Sequence, residues 1–145
     1  MSSVLLNEAA ETDAWLESYL RADVALAGLV NGVFSTFIGT TSTKLPVVRF
    51  FLIEQDDLMV VNAERVWSEL VYQVEAVTSG PETTEARSIA RRLDALLHRL
   101  QGQSSATVYV QEVWRRSPLF RKEVESGDPY CYAGGEYVCR VSALA

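Results

Sequence analysis

Apolar residues recur every three or four positions between Asn7 and Val30: Trp15, Leu16, Tyr19, Leu20, Val24, Leu26, Leu29 and Val30. That spacing predicts a helix with one buried stripe. Glu8, Glu11, Asp13 and Glu17 fall in its first half, where the helix dipole favours anions, and Asp23 is placed to open a short second helix after a break near Arg21 and Ala22. Asn31-Gly32 is predicted to close the pattern through a left-handed glycine. The period then changes. Val33 to Ile38 reads as a strand, the apolar and β-branched run Val47 to Ile53 as a central strand broken by Gln55-Asp56-Asp57, and Leu58 to Asn62 as a short continuation or partner. Arg65 to Val77 reads as a long strand whose alternation slips near Ser68 to Val71, which predicts a bulge. Helical spacing returns after a cap at Thr83 or Thr84, with Ala86, Ile89, Ala90, Leu93, Leu96, Leu97 and Leu100 in the stripe and Gln101-Gly102 as the stop. Thr107 to Trp114 alternates as a strand, and Pro118 interrupts a polar connection through Gly127-Asp128. Pro129 to Ala133 and Glu136 to Ser142 then read as strands joined at Gly134-Gly135 by a hairpin or bend. Helix, strands, helix, strands, without βαβ alternation, predicts an α+β fold: a largely antiparallel (mixed) sheet with two main helices packed on one face.

The chain of 145 residues is long enough for one core and too short for two comfortable ones, so a single domain over 1–145 is expected, with 1–7 as a flexible N-terminal arm. Nineteen acids against thirteen Lys and Arg give a net charge of −6, which disfavours a protein whose main task is coating nucleic-acid phosphates. The charge is uneven. Residues 1–86 hold thirteen acids and four bases, while 87–145 hold six acids and nine bases, a polarity that suits head-to-tail attraction between copies or, equally, solvated faces of separate helices. The apolar runs are too short to span a bilayer, and the first residues lack the features of a signal peptide, so folding in the reducing cytosol is expected. Cys131 and Cys139 have neither redox-pair nor zinc-site spacing and read as small buried hydrophobes rather than a disulfide.

The residues offer little chemistry. Gly39-Thr40-Thr41-Ser42-Thr43-Lys44 lacks the second glycine, the following Ser or Thr and the helix that a phosphate-binding loop requires. His98, the only histidine, sits one turn after Asp94 and suits a solvated ion pair better than a general base. Asp56-Asp57 reads as a turn rather than a metal site. No catalytic residue, cofactor or metal is expected. Trp114-Arg115-Arg116 and Phe120-Arg121-Lys122 mix aromatic and cationic groups as nucleic-acid surfaces do, but four cations fit exposed Arg lying over apolar surface more simply, with a protein contact between the two readings. Phe34, Phe37, Phe50 and Phe51 are core candidates.

In order and spacing the chain resembles the tail-terminator, or tail-completion, family of long-tailed bacteriophages over about residues 14 to 142. The resemblance is carried by Leu26 to Gly32 (Leu-x-x-Leu-Val-Asn-Gly), by Leu45-Pro46-Val47-Val48 entering the central strand, and by Leu70-Val71-Tyr72-Gln73-Val74. It continues through the helix from Glu85-Ala86-Arg87 to His98 and the closing Gly-Gly-x-Tyr-x-x-Arg-Val of Gly134 to Val141. The pattern departs in two loops. Gly39 to Lys44 lacks the further proline common in the family, and Leu58 to Glu64 is longer than usual.

The resemblance implies a non-enzymatic virion protein. It implies a hexameric ring that caps the tail tube, ends tube polymerisation and joins the tail to the head-completion or stopper proteins below the portal, at the tail–neck region after assembly in the host cytoplasm. DNA would pass through the ring without specific binding, and a negative lumen would let it slide. Two polar segments that the core does not require are the expected protein interfaces: Thr40, Thr41, Ser42, Thr43 and Lys44, and Arg115, Arg116, Phe120, Arg121 and Lys122. The alternatives are another neck component, such as a head-closure or connector protein, then a small enzyme using Asp56, Asp57 and His98, or an adaptor domain.

Overall fold

A computed structural model describes residues 8–35, 44–59, 65–106 and 108–143. Helix α1 (Glu8–Arg21) is followed by the short α2 (Val24–Ala27), then β1 (Val33–Phe34), β2 (Val47–Met59), β3 (Arg65–Ser79), α3 (Thr84–Leu97), β4 (Leu100–Ser104), β5 (Val108–Glu125) and β6 (Asp128–Ala143). The strands form one mixed sheet in the order β1-β2-β3-β6-β5-β4, parallel between β1 and β2 and antiparallel elsewhere. The fold is α+β. The expected arm (residues 1–7) and the whole of the 36–43 segment, with the end of the strand expected at Val33 to Ile38, lie outside the described residues.

Both main helices pack on one face of the sheet. Trp15, Leu16 and Leu20 of α1, Leu26 of α2 and Ile89, Leu93 and Leu97 of α3 share a core with Phe50, Leu70, Tyr72, Val74, Val110, Val113, Tyr137 and Cys139 from the strands. Phenol groups lock the layers together, as buried Tyr hydroxyls need partners. Tyr72 donates to the Asp13 carboxylate, Tyr137 to Asp94 Oδ1 at 2.9 Å, and Tyr19 to the Leu96 carbonyl at 2.9 Å. Burial raises the Asp13 pKa, against the hydrogen bond from Tyr72. The break at Arg21-Ala22 and the cap at Asp23 are as expected: the Asp23 carboxylate accepts from the Leu26 N–H at 2.8 Å.

Four local expectations are corrected. The short helix closes at Gly28 in the right-handed region, and Asn31 and Gly32 instead stitch the next loop down: the Asn31 amide donates to the Lys44 and Leu45 carbonyls, and Val48 N–H donates to the Gly32 carbonyl. Gln55-Asp56-Asp57 does not break β2, because β3 pairs with all three residues and the Ser68 hydroxyl donates to Asp57 Oδ1 at 2.8 Å. Pairing across the sheet outweighs the local preference of Asp for turns. The predicted bulge exists, but its extra residue is Ile53 in β2, between the pairs Leu52 with Tyr72 and Glu54 with Val71.

The fourth correction concerns the C-terminal region. β5 runs unbroken through Pro118, and its hairpin with β6 turns at Ser126 and Gly127, both at positive φ (52° and 85°), the geometry of a two-residue hairpin turn. Gly134 and Gly135 lie in the middle of β6. A Cβ on Gly134 would sit 1.9 Å from the Val74 carbonyl oxygen, and one on Gly135 2.8 Å from that of Ser117. These glycines therefore serve close backbone approach within the sheet rather than a turn.

Candidate interaction surface

The expected interface segments are described only in part. Thr40 to Thr43 lie outside the described residues, while Lys44 is exposed and its carbonyl is held by Asn31. Arg115 to Lys122 is strand, so its side chains alternate. Arg115 faces the helices, with Nε 3.6 Å from Asp94, and so does Phe120, whose ring lies 4.7 Å below the Arg87 guanidinium. Lys122, opposite Cys131 in the register, is exposed on that side too. A bulge at Arg116 turns this residue to the other face, which Arg121 shares. The five residues thus belong to two surfaces.

On the helix side, Arg87, Arg91, Arg115 and Phe120 line an open cleft of about 390 Å³ between α3 and β5, floored by Ala90, Ala133 and Gly134. On the other side no described helix covers the sheet, yet Val71 and Val138 are each only 5% exposed. Long charged side chains lie over them. Arg116 donates to Glu136 Oε1 at 2.7 Å and to Glu54 Oε2 at 3.2 Å. Glu54 is on β2, three strand steps or about 14 Å away, so the side chains of Arg116 and Glu54 together span β6 and β3. Their aliphatic stems exclude water from the valines while the charged heads meet. Arg140 joins Glu69 at 2.7 Å and lies over the Trp114 ring.

Nearer the hairpin, the fully buried Glu75 accepts from Arg49 Nε at 2.5 Å, Arg121 Nη1 at 3.1 Å and Gln73 Nε2 at 2.8 Å. Both arginines also approach the Tyr132 ring, at 5.0 and 4.1 Å from its centre. Burial pulls the Arg121 pKa down, but Glu75 and Glu123 together leave it raised. This network accounts for the uneven charge along the sequence. Arg92, Arg116, Arg121 and Arg140 of the basic half pair with Asp23, Glu54, Glu75 and Glu69 of the acidic half, so much of the polarity is neutralised inside one chain.

The expected ion pair of His98 with Asp94 is not formed. His98 Nδ1 accepts the Arg115 N–H at 3.0 Å, and its own N–H donates to the Asp94 carbonyl as the helix ends. Asp56 and Asp57 lie on β2, with β3 and β6 between them and β5, so the three residues named for an enzyme are not brought together. Among the described residues no group of three His, Cys, Asp or Glu side chains is placed to hold a metal. No described helix is long and apolar enough to cross a membrane. Cys131 and Cys139 are free and buried, and burial pushes the Cys139 thiol up to about 12.

No family model matches the sequence, and neither does any curated protein sequence. Among solved structures, the fold is similar to a chain in the virion of a native gene transfer agent particle. The TM-score is 0.63 at 17% sequence identity, and the match covers 92% of this chain and 97% of the other. At that identity the likeness is one of fold, spanning nearly the whole of both chains.

The Glu75 network escaped the sequence reading, although a signal was present. Arg49 interrupts Val47-Val48-Arg49-Phe50-Phe51, and Glu75 interrupts Val74-Glu75-Ala76-Val77. Opposite charges inside two apolar strand runs are a pairing signal, because neither is stable in a sheet interior alone.

Proposed function

We propose that this protein is a structural virion component of a phage-like particle. In the finer form of the reading, it forms a ring, with six copies as the resemblance implies, that caps the tail tube, ends its polymerisation and joins it to the head-completion proteins. It acts without catalysis, and DNA passes through the ring without being gripped. The observation that carries this reading is the fold likeness, end to end in both chains, to a chain of a gene transfer agent virion. The surface supports it as well: the described residues offer open clefts and sheet edges suited to contact with other proteins.

The test is to add the purified protein to polymerising tail tubes and image them by electron microscopy. Tubes of arrested length with added density at one end are expected. Tubes that elongate unchanged overturn the terminator role. Binding to isolated connector complexes instead of tubes moves the protein to the head side of the neck.

A further inference from the structure

On the uncovered face of the sheet Arg49 and Arg121 meet Glu75, Arg116 meets Glu54 and Glu136, and Arg140 meets Glu69. In the cleft between α3 and β5 the balance is reversed. Arg87 and Arg91 lie one helical turn apart, where like charges repel, and neither meets a carboxylate among the described residues. Arg115 reaches Asp94 at 3.6 Å, but that carboxylate already accepts from Tyr137, and it is the only acidic side chain among the described residues lining the cleft. Three cations thus share one committed acid. The other acids nearby lie elsewhere. Glu123 pairs with Arg121 on the opposite face, Glu125 closes the hairpin turn, and Glu82 and Glu85 precede Arg87 at the start of α3, outside the cleft lining.

The rim is apolar as well as basic. Phe120 is 43% exposed, with the Arg87 guanidinium 4.7 Å from its ring centre. Strand alternation puts the exposed Lys122 and Val124 on the same side of β5, toward the hairpin. The floor of Ala90, Ala133 and Gly134 carries no bulk that would keep a peptide out. We propose that this cleft docks an acidic peptide segment of a partner protein, its carboxylates meeting Arg87, Arg91 and Arg115 and an apolar side chain lying against Phe120. Guanidinium groups suit that task, because each can grip a carboxylate through two parallel hydrogen bonds. The contact is made by side chains, so Pro118 and the bulge at Arg116, which interrupt the edge of β5 for strand pairing, do not oppose it. It stands whether or not the protein caps a tail tube.

A peptide fits better than a nucleic acid. The cations line a concavity of about 390 Å³, which a flexible carboxylate side chain can enter, whereas the phosphates of a duplex run along its outside and are met by a ridge. Arg87 already covers a face of the Phe120 ring, which leaves less of it for a base to stack on. The net charge of −6 repels a polyanion at long range, while a short acidic segment needs only the local excess of positive charge.

The test titrates the full chain into short fluorescein-labelled peptides and follows anisotropy, with thermal melts to confirm folding. In one peptide glutamate alternates with valine, and in the other it falls at every third position among valines. At least one is expected to bind, and its glutamine analogue to bind at least about tenfold more weakly. Arg87→Glu and Arg91→Glu are each expected to weaken binding about tenfold, with melting unchanged or raised because the repulsion between the two arginines is relieved. Arg99→Glu makes the same charge change at an exposed arginine outside the cleft lining, and is expected to cost less than about threefold at physiological salt. Failure of both peptides to bind, glutamine analogues that bind as well, or an Arg99→Glu effect equal to that of Arg91→Glu overturns the docking site. A short DNA duplex that binds more tightly than either peptide, and loses affinity on Arg91→Glu, assigns the cleft to phosphates and overturns the peptide.

Discussion

On its helix-covered face the sheet excludes water with Phe50, Leu70, Tyr72 and Val74 against Leu16, Leu20, Ile89 and Leu93. On the opposite face Val71 and Val138 are nearly as dry, but long arginine and glutamate side chains cover them, and a buried Arg49–Glu75 pair joined by Arg121 sits beside a smaller apolar cluster of Val47, Val77 and Tyr132. The first face is held by area removed from water, which is non-directional and tolerant of small shifts. The second depends on matched charges whose geometry must be kept, since a buried ion is costly once its partner is gone. One face of a sheet can therefore stay free of helices, and available to neighbours, without being wet.

The harshest way to break this comparison is at the glycine beneath both layers. Gly134→Val drives side-chain atoms into the Val74 carbonyl and is expected to cost about 3 kcal/mol or more, seen as loss of a cooperative urea transition. Next come paired tests of the two faces. Glu75→Ala removes the buried carboxylate that Arg49 and Arg121 share and is expected to cost about 3–5 kcal/mol, and Leu93→Ala opens a core cavity at about 2–5 kcal/mol. What separates them is rescue: Arg49→Met combined with Glu75→Leu is expected to recover most of the loss, because well-packed apolar groups can replace a buried ion pair. If equilibrium unfolding shows no recovery, the second face is more than a covering layer.

The smallest effect is at the edge of the core. Asp23 caps α2 and binds Arg92 through two hydrogen bonds, of 2.7 and 2.9 Å, and the Arg92 bond chiefly holds its pKa below the usual 3.8. A lowered folded-state pKa stabilises above the unfolded value and is lost as pH falls through the folded one. Asp23→Ala is accordingly expected to cost about 1 kcal/mol at pH 7, and the difference from wild type should shrink in urea titrations near pH 3.

The helix-covered face was legible because its stripe is periodic. Trp15, Leu16 and Leu20, and Ile89, Leu93 and Leu97, are neighbours on a helix surface whatever the rest of the chain does. The interface segment was only half legible. That Arg115 to Lys122 is polar and exposed is readable from the sequence, but Pro118 there points to a connection, whereas strand alternation and the bulge at Arg116 send its members to opposite faces.

Local periodicity and composition thus determined the class of fold, the two helices and most of their buried stripes, the break before Asp23 with its cap and the state of the cysteines, although α3 ends at Leu97 and the expected stop at Gln101-Gly102 lies in β4. Each depends on residues within a turn or two of one another. Tertiary structure alone decided that β2 runs through Gln55-Asp56-Asp57, that Gly134 and Gly135 lie inside a strand, and that the acidic and basic halves neutralise each other. Arg116 meets Glu54 across 62 positions and Arg140 meets Glu69 across 71, so no local rule reaches them. Those pairs exist because the sheet order brings β5 and β6 over the acidic strands, and only the assembled sheet sets which charges meet and which edges stay open.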